Sequence, residues 1–87
     1  MQKRGWGTIA IEILEAALIA QKKTRIMYLT NLNYMRANRY LFDFVQKGFI
    51  IKVFDSYGMP EYEISEEGKI FLLALKNAKD IAGVERY

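Results

Sequence analysis

Residues 24–48, TRIMYLTNLNYMRANRYLFDFVQKG, decide the fold. Thr24 is a favoured helix cap, and Arg25, Ile26, Met27, Tyr28 and Leu29 make a short helical run behind it. Thr30-Asn31-Leu32-Asn33 then interrupts, because asparagine and threonine side chains compete with the helical backbone and favour turns and caps. Asn33 is placed to cap a longer helix from Tyr34 to Lys47. In it Tyr34, Ala37, Leu41, Phe44 and Val45 fall on one apolar stripe, and Gly48 ends it just past the C-cap. Two helices joined by so tight a turn make a helix-turn-helix.

Upstream, Ile9, Ile13, Leu14, Ala17 and Leu18 recur at helical spacing, which predicts a first helix over about Thr8 to Ala20 with Thr8 as its cap. Glu12 and Glu15 share a polar face of that helix. They argue against reading Met1-Gln2-Lys3-Arg4 and the apolar run after it as a secretory leader. No run reaches membrane-spanning length, so a soluble, cytoplasmic, nucleoid-associated protein is expected.

Downstream, Phe49-Ile50-Ile51-Lys52-Val53-Phe54 is rich in β-branched and aromatic residues, and Glu61-Tyr62-Glu63-Ile64 alternates polar with apolar. Asp55 to Pro60 supplies turn chemistry between them, and Pro60 is tolerated at a strand start. Ser65 then caps a fourth helix, with Glu66 and Glu67 where the helix dipole favours negative charge, running to roughly Ile81 before Gly83. The order is helix, helix, helix, strand, wing, strand, helix. The expected class is α+β, mainly α: a winged helix-turn-helix in one domain over residues 1–87, with its core over about 8–82.

The chain has 87 residues, 52% of them hydrophobic, with neither cysteine nor histidine. That removes disulfides, Cys/His metal sites, thiol nucleophiles and imidazole bases. Glu66 and Glu67 do not make a catalytic pair, since adjacent helical residues point apart. No enzyme activity, cofactor or metal is expected. The net charge of +3 is unevenly spread: nine basic residues against three acidic ones from Met1 to Lys52, four against seven from Val53 to Tyr87. A polyanion would meet the first part of the chain.

Thr24-Arg25-Ile26-Met27-Tyr28, Asn31-Leu32, Arg39-Tyr40, Gly48-Phe49-Ile50 and Tyr62-Glu63-Ile64-Ser65-Glu66-Glu67-Gly68 resemble the archaeal winged-helix DNA-binding proteins of the Sso10a type and related archaeal regulators. The resemblance covers about Ile9 to Leu75. It implies double-stranded DNA binding without catalysis, as a homodimer joined through the last helix. Against the long coiled coil of the Sso10a type, a shorter last helix and a more compact dimer are expected here.

Candidate DNA contacts follow from the pattern. Lys22, Lys23 and Thr24 sit at a helix N-terminus, where free backbone N–H groups already favour an anion, and the two lysines make a candidate phosphate clamp. On the third helix Arg36, Asn38 and Arg39 are placed to read bases, arginine suiting guanine and asparagine suiting adenine; phosphate contact alone is the competing role for both arginines. Arg25 is open to an internal acidic partner. Lys52 is the one basic residue near the wing tip, where Tyr57 is a neutral donor and Asp55 repels phosphates. Tyr28, Tyr40, Phe44, Phe49 and Tyr62 are read as core, and Trp6 as tucked against the core or a partner.

Ile70-Phe71-Leu72-Leu73-Ala74-Leu75 is apolar for more than a full turn, so one face cannot bury it all. Phe71, Leu75 and Ala78 are assigned to the core. Ile70, Leu73, Ala74, Asn77 and Ile81 are assigned to a homodimer interface. A transcriptional regulator and an architectural DNA-binding protein both suit these features, and a winged helix used purely for protein–protein interaction is the alternative.

Overall fold

The computed structural model describes the backbone of residues 4–85 and side chains from residue 4 to residue 80. Its elements are α1 (Trp6–Ala16), α2 (Lys23–Thr30), α3 (Tyr34–Gln46), β1 (Ile50–Phe54), β2 (Pro60–Ile64) and α4 (Glu66–Glu85). This is the expected mainly helical α+β arrangement, a helix-turn-helix followed by a β-wing and a last helix. Among the described residues no helix is long and apolar enough to cross a membrane.

The turn between α2 and α3 is built as its asparagines suggest. Asn31 takes the left-handed conformation at φ 56°. Its N–H bonds Tyr28 O at 3.3 Å and the Leu32 N–H bonds Met27 O at 3.1 Å, a Schellman closure of α2. Asn33 then caps α3, its side chain accepting the Arg36 N–H at 2.9 Å. Gly48 closes α3 in the same way at φ 80°, with the Phe49 N–H on Phe44 O at 2.9 Å. Left-handed backbone at that point favours glycine.

Two helix starts differ from expectation. α1 begins at Trp6 behind Gly5, and Thr8 lies inside it. The Trp6 ring meets Phe44 and Phe71 edge-on, at 6.2 and 6.4 Å between centroids, and this packing draws an extra turn into the helix. α2 begins at Lys23, with Lys22 at the cap position and Thr24 inside the first turn. The chain ahead of it is committed to a sheet contact. Gln21 and Tyr62 exchange both backbone bonds, at 3.0 and 2.7 Å, which stops α1 short of Ala20 and adds a third, one-residue rung to the wing. At the other end, α4 continues through Gly83 to Glu85.

β1 and β2 pair antiparallel, Ile50 opposite Ile64 and Phe54 opposite Pro60. The core joins Ile9, Ile13 and Leu14 of α1 to Ile26 of α2, Leu41 and Phe44 of α3, and Ile50 and Ile64 of the sheet. Burial of each such side chain contributes about 1.5–3 kcal/mol. Buried Thr30 satisfies its hydroxyl by donating to Ile26 O at 2.6 Å. Leu72, rather than Ala78, turns α4 into this core, with Phe71 and Leu75 half-buried beside it and Ala78 exposed. Ser65 accepts the Gly68 N–H at 2.9 Å as the expected cap of α4 and donates to Gly48 O at 2.6 Å.

Candidate nucleic-acid interface

The basic residues divide into those held within the protein and those left open. Arg4 pairs with Glu12 and donates to Thr30 O at 2.6 Å, so it closes the carbonyl end of α2. Lys47 pairs with Asp43 one turn back on α3, at 2.8 Å. Lys22 lies 2.6 Å from Asp55 and 3.3 Å from Glu61. Lys23, Arg25, Arg36, Arg39 and Lys52 have no carboxylate partner among the described residues. These five lie on α2, α3 and β1.

Lys22 and Lys23, grouped by the sequence as one clamp, go to opposite sides of the wing. Gln21 opposite Tyr62 sets the register, and the alternation of side chains across a pleated sheet sends Lys22 to the face that carries Glu61. Tyr62 lies on the other face, with Lys23 over its ring at 5.9 Å and Lys52 at 5.8 Å. Lys23 also donates to Asn38 Oδ1 at 2.5 Å and sits 5.0 Å from the centre of the Tyr34 ring. A cluster of Lys23, Tyr34, Asn38, Lys52 and Tyr62 therefore joins α2, α3 and the wing. Neither tyrosine stands out in the sequence, because Tyr62 falls at a core-facing periodicity and Tyr34 on the apolar stripe of α3. Tyr62 is buried and presents its ring to the lysines, whereas Tyr34 is exposed.

The wing tip is less acidic than it reads. Asp55 Oδ1 accepts the Tyr57 and Met59 N–H groups, both at 2.9 Å, and Oδ2 takes Lys22. Hydrogen bonding to the Lys22 ammonium, then to the Met59 and Tyr57 amides, holds this carboxyl below its ordinary range. The same bond to Asp55 holds Lys22 above the usual lysine value. Tyr57 stands exposed at the tip.

On α3, Asn38 and Arg36 fall on opposite flanks, since two residues on a helix are about 200° apart. Asn38 faces α2, and Arg36 and Arg39 border a groove with Trp6, Tyr40, Phe42 and Asp43. Between the flanks the outermost ridge carries Met35, Arg39 and Phe42, with Met35 72% and Phe42 66% exposed. Arg25 lies over the Tyr28 ring at 5.4 Å, and Tyr28 is itself exposed, not core. Thr24 is exposed in the first turn of α2.

On α4, Ile70 is 71% and Leu73 62% exposed, and Ala74 and Asn77 are exposed on the same stripe. The Ile81 side chain lies outside the described residues. The opposite flank meets α1, where Lys76 pairs with Glu15 at 2.9 Å and Lys79 donates to Thr8 at 2.6 Å. Trp6 meets Phe71 and leaves the Ile70–Leu73 stripe open.

Over residues 3–83 the sequence matches the family described as winged helix-turn-helix. No curated protein matches the chain. Among solved structures it is similar to Sso10a-2, a DNA-binding protein from Sulfolobus solfataricus. That likeness has a TM-score of 0.87 and 26% identity, over 95% of this chain and 86% of that one. The transcriptional regulator BldR, also from Sulfolobus solfataricus, is similar with a TM-score of 0.82 and 16% identity, over 91% of this chain and 59% of that one. A MarR family transcriptional regulator from Silicibacter pomeroyi shares the fold with a TM-score of 0.65 and 14% identity, over 88% of this chain and 56% of that one.

Proposed function

The chain belongs to the winged helix-turn-helix family, and from that membership we propose that it binds double-stranded DNA with α3 in the major groove. The observation that carries this reading is the outer face of α3, where large apolar side chains stand in solvent between cations that have no carboxylate partner among the described residues. Such a face suits a partner that offers phosphates and apolar groups together. The duplex major groove does so, with thymine methyls beside guanine acceptors and the phosphate backbone along both rims. The DNA-binding Sso10a-2, which is similar along nearly its whole length, supports the same reading.

In this arrangement Lys23 and Lys52 contact phosphates on one side of the groove. Arg39, Phe42 and Met35 meet base edges, with Arg36 and Asn38 at the two rims and Thr24 beside Lys23. Tyr57 reaches the backbone from the wing tip as a neutral donor. Lys22 takes a different part: by neutralising Asp55 it removes the repulsion that the tip would otherwise offer. Apolar and guanidinium groups on one reading face favour a regulator with sequence preference over a purely architectural protein, which grips phosphates alone. The chemistry is binding, without catalysis.

The exposed stripe of Ile70, Leu73, Ala74 and Asn77, continued along the backbone by Ile81, is the proposed homodimer interface. A twofold copy of the stripe would cover it with the same surface and present two α3 helices to successive half-sites. Titration of the protein against labelled duplex and single-stranded DNA of the same sequence tests the reading, which requires preference for the duplex.

A further inference from the structure

Between the first turn of α1 and one flank of α3 lies an open groove of about 480 Å³, lined by Trp6, Arg36, Arg39, Tyr40, Phe42 and Asp43. Its size is within the range of small-molecule sites, ~300–1,000 Å³. Three of its six lining residues are aromatic. Trp6 is fixed by edge contacts to Phe44 and Phe71, yet 50% of its surface stays open. The lining carries two guanidiniums with no carboxylate partner among the described residues. Its one carboxylate, Asp43, is already engaged by Lys47 at 2.8 and 2.9 Å. The groove is thus aromatic-walled and cationic.

We propose that this groove binds a small ligand in which a planar aromatic ring is joined to an anionic group, the ring against Trp6, Tyr40 and Phe42 and the anion on Arg36 and Arg39. A bare anion would leave the aromatic walls in water, and a neutral ring would leave the two charges uncompensated. Intact duplex supplies the anion without the ring, because its bases are stacked inside and its phosphates outside. An aromatic carboxylate and a nucleoside monophosphate both have the required chemistry. Arg36 and Arg39 also border the reading face of α3, so the ligand and duplex compete for them. That consequence alone rests on the DNA-binding reading.

The test is calorimetric titration of the DNA-free protein with 1-naphthoate, adenosine monophosphate and inorganic phosphate, with the indole N–H resonance of Trp6, the sole tryptophan, followed by NMR. At least one of the two aromatic anions binds with a dissociation constant of about 1 mM or tighter and shifts the Trp6 resonance. Phosphate alone does neither. Naphthoate binding alone assigns the site to aromatic carboxylates, and adenosine monophosphate alone assigns it to nucleotides. Arg36→Gln and Arg39→Gln, both at exposed positions, each weaken binding about tenfold without moving the melting temperature. No binding, phosphate binding as tightly as the aromatic anions, or full affinity in both glutamine variants overturns the site. With duplex present, the bound anion raises the apparent Kd for DNA. An unchanged Kd at saturating ligand overturns the competition, while the calorimetry reads the site without DNA.

Discussion

Lys22 Nζ lies 2.6 Å from Asp55 Oδ2, so the start of α2 is fastened to the tip of the wing. Asp55 is held below its ordinary carboxyl value of 3.8, first by Lys22 and then by the Met59 and Tyr57 amides. A lowered carboxyl contributes stability that is present above its ordinary value and is lost as pH falls through the lower folded one. Lys22 is held above 10.5, so its contribution is complete below that value and is lost as pH rises through the higher folded one. The tip should therefore stay fastened across the whole neutral range. The backbone amide shifts of Tyr57 and Met59 are expected to stay flat there and to move only on the acid side of 3.8 and the alkaline side of 10.5. A transition centred near neutrality would contradict the latch.

Gly68 packs against the strand entry so closely that a Cβ would stand 2.0 Å from Phe49 O and 2.7 Å from an Ile64 side-chain carbon. The Phe49 carbonyl cannot simply retreat, because it also accepts the Ser65 N–H at 2.9 Å. Gly68→Ala is expected to destabilise the fold by about 3 kcal/mol or more in urea unfolding. Gly5→Ala, where a Cβ meets nothing within 4 Å, is the matched control. Equal midpoints for the two variants would refute the close-approach argument.

Lys22 and Lys23 are neighbours in sequence with different partners, and DNA binding should separate them. Lys23→Ala is expected to flatten the log–log salt dependence of duplex affinity by about one unit, the loss of one phosphate contact. Lys22→Ala should leave that slope alone and expose Asp55, weakening binding through the wing. The reverse pattern would return the clamp to Lys22.

The α4 stripe predicts a dimer. Sedimentation equilibrium over a concentration series should give twice the monomer mass, and Leu73→Glu should give a folded monomer with unchanged helical circular dichroism. A native monomer at high concentration would end the proposal, as would a Leu73→Glu protein that stays dimeric.

Much of this fold is legible in the sequence because the deciding signals are local. Asn31, Asn33, Gly48 and Ser65 act within a few residues of themselves, and each closes or caps the helix expected of it. The misread positions depend on distant partners. Trp6 joins α1 because Phe44 and Phe71 are there to receive it, and α1 stops short of Ala20 because Tyr62 offers Gln21 a backbone partner. Periodicity cannot sort aromatic residues at the edge of a stripe, so Tyr28 reads as core and Tyr34 falls on the apolar stripe of α3 although both stand exposed. Charge counting has the same limit. Nine basic residues precede Val53, yet Arg4, Lys22 and Lys47 are absorbed by Glu12, Asp55 with Glu61, and Asp43.

If α3 and the cations around it grip duplex DNA, binding must weaken steeply with salt. Fluorescence anisotropy of a labelled duplex, titrated at several salt concentrations, should show log K falling linearly with log salt at about 0.9 per phosphate contact. With Lys23, Arg36 and Lys52 on phosphates and Arg39 on a base edge, the slope should be roughly −3 per protomer. Single-stranded DNA of the same sequence should bind more weakly. Absence of duplex binding at low salt, a salt-independent affinity, or a preference for the single strand would exclude α3 as a duplex-binding element.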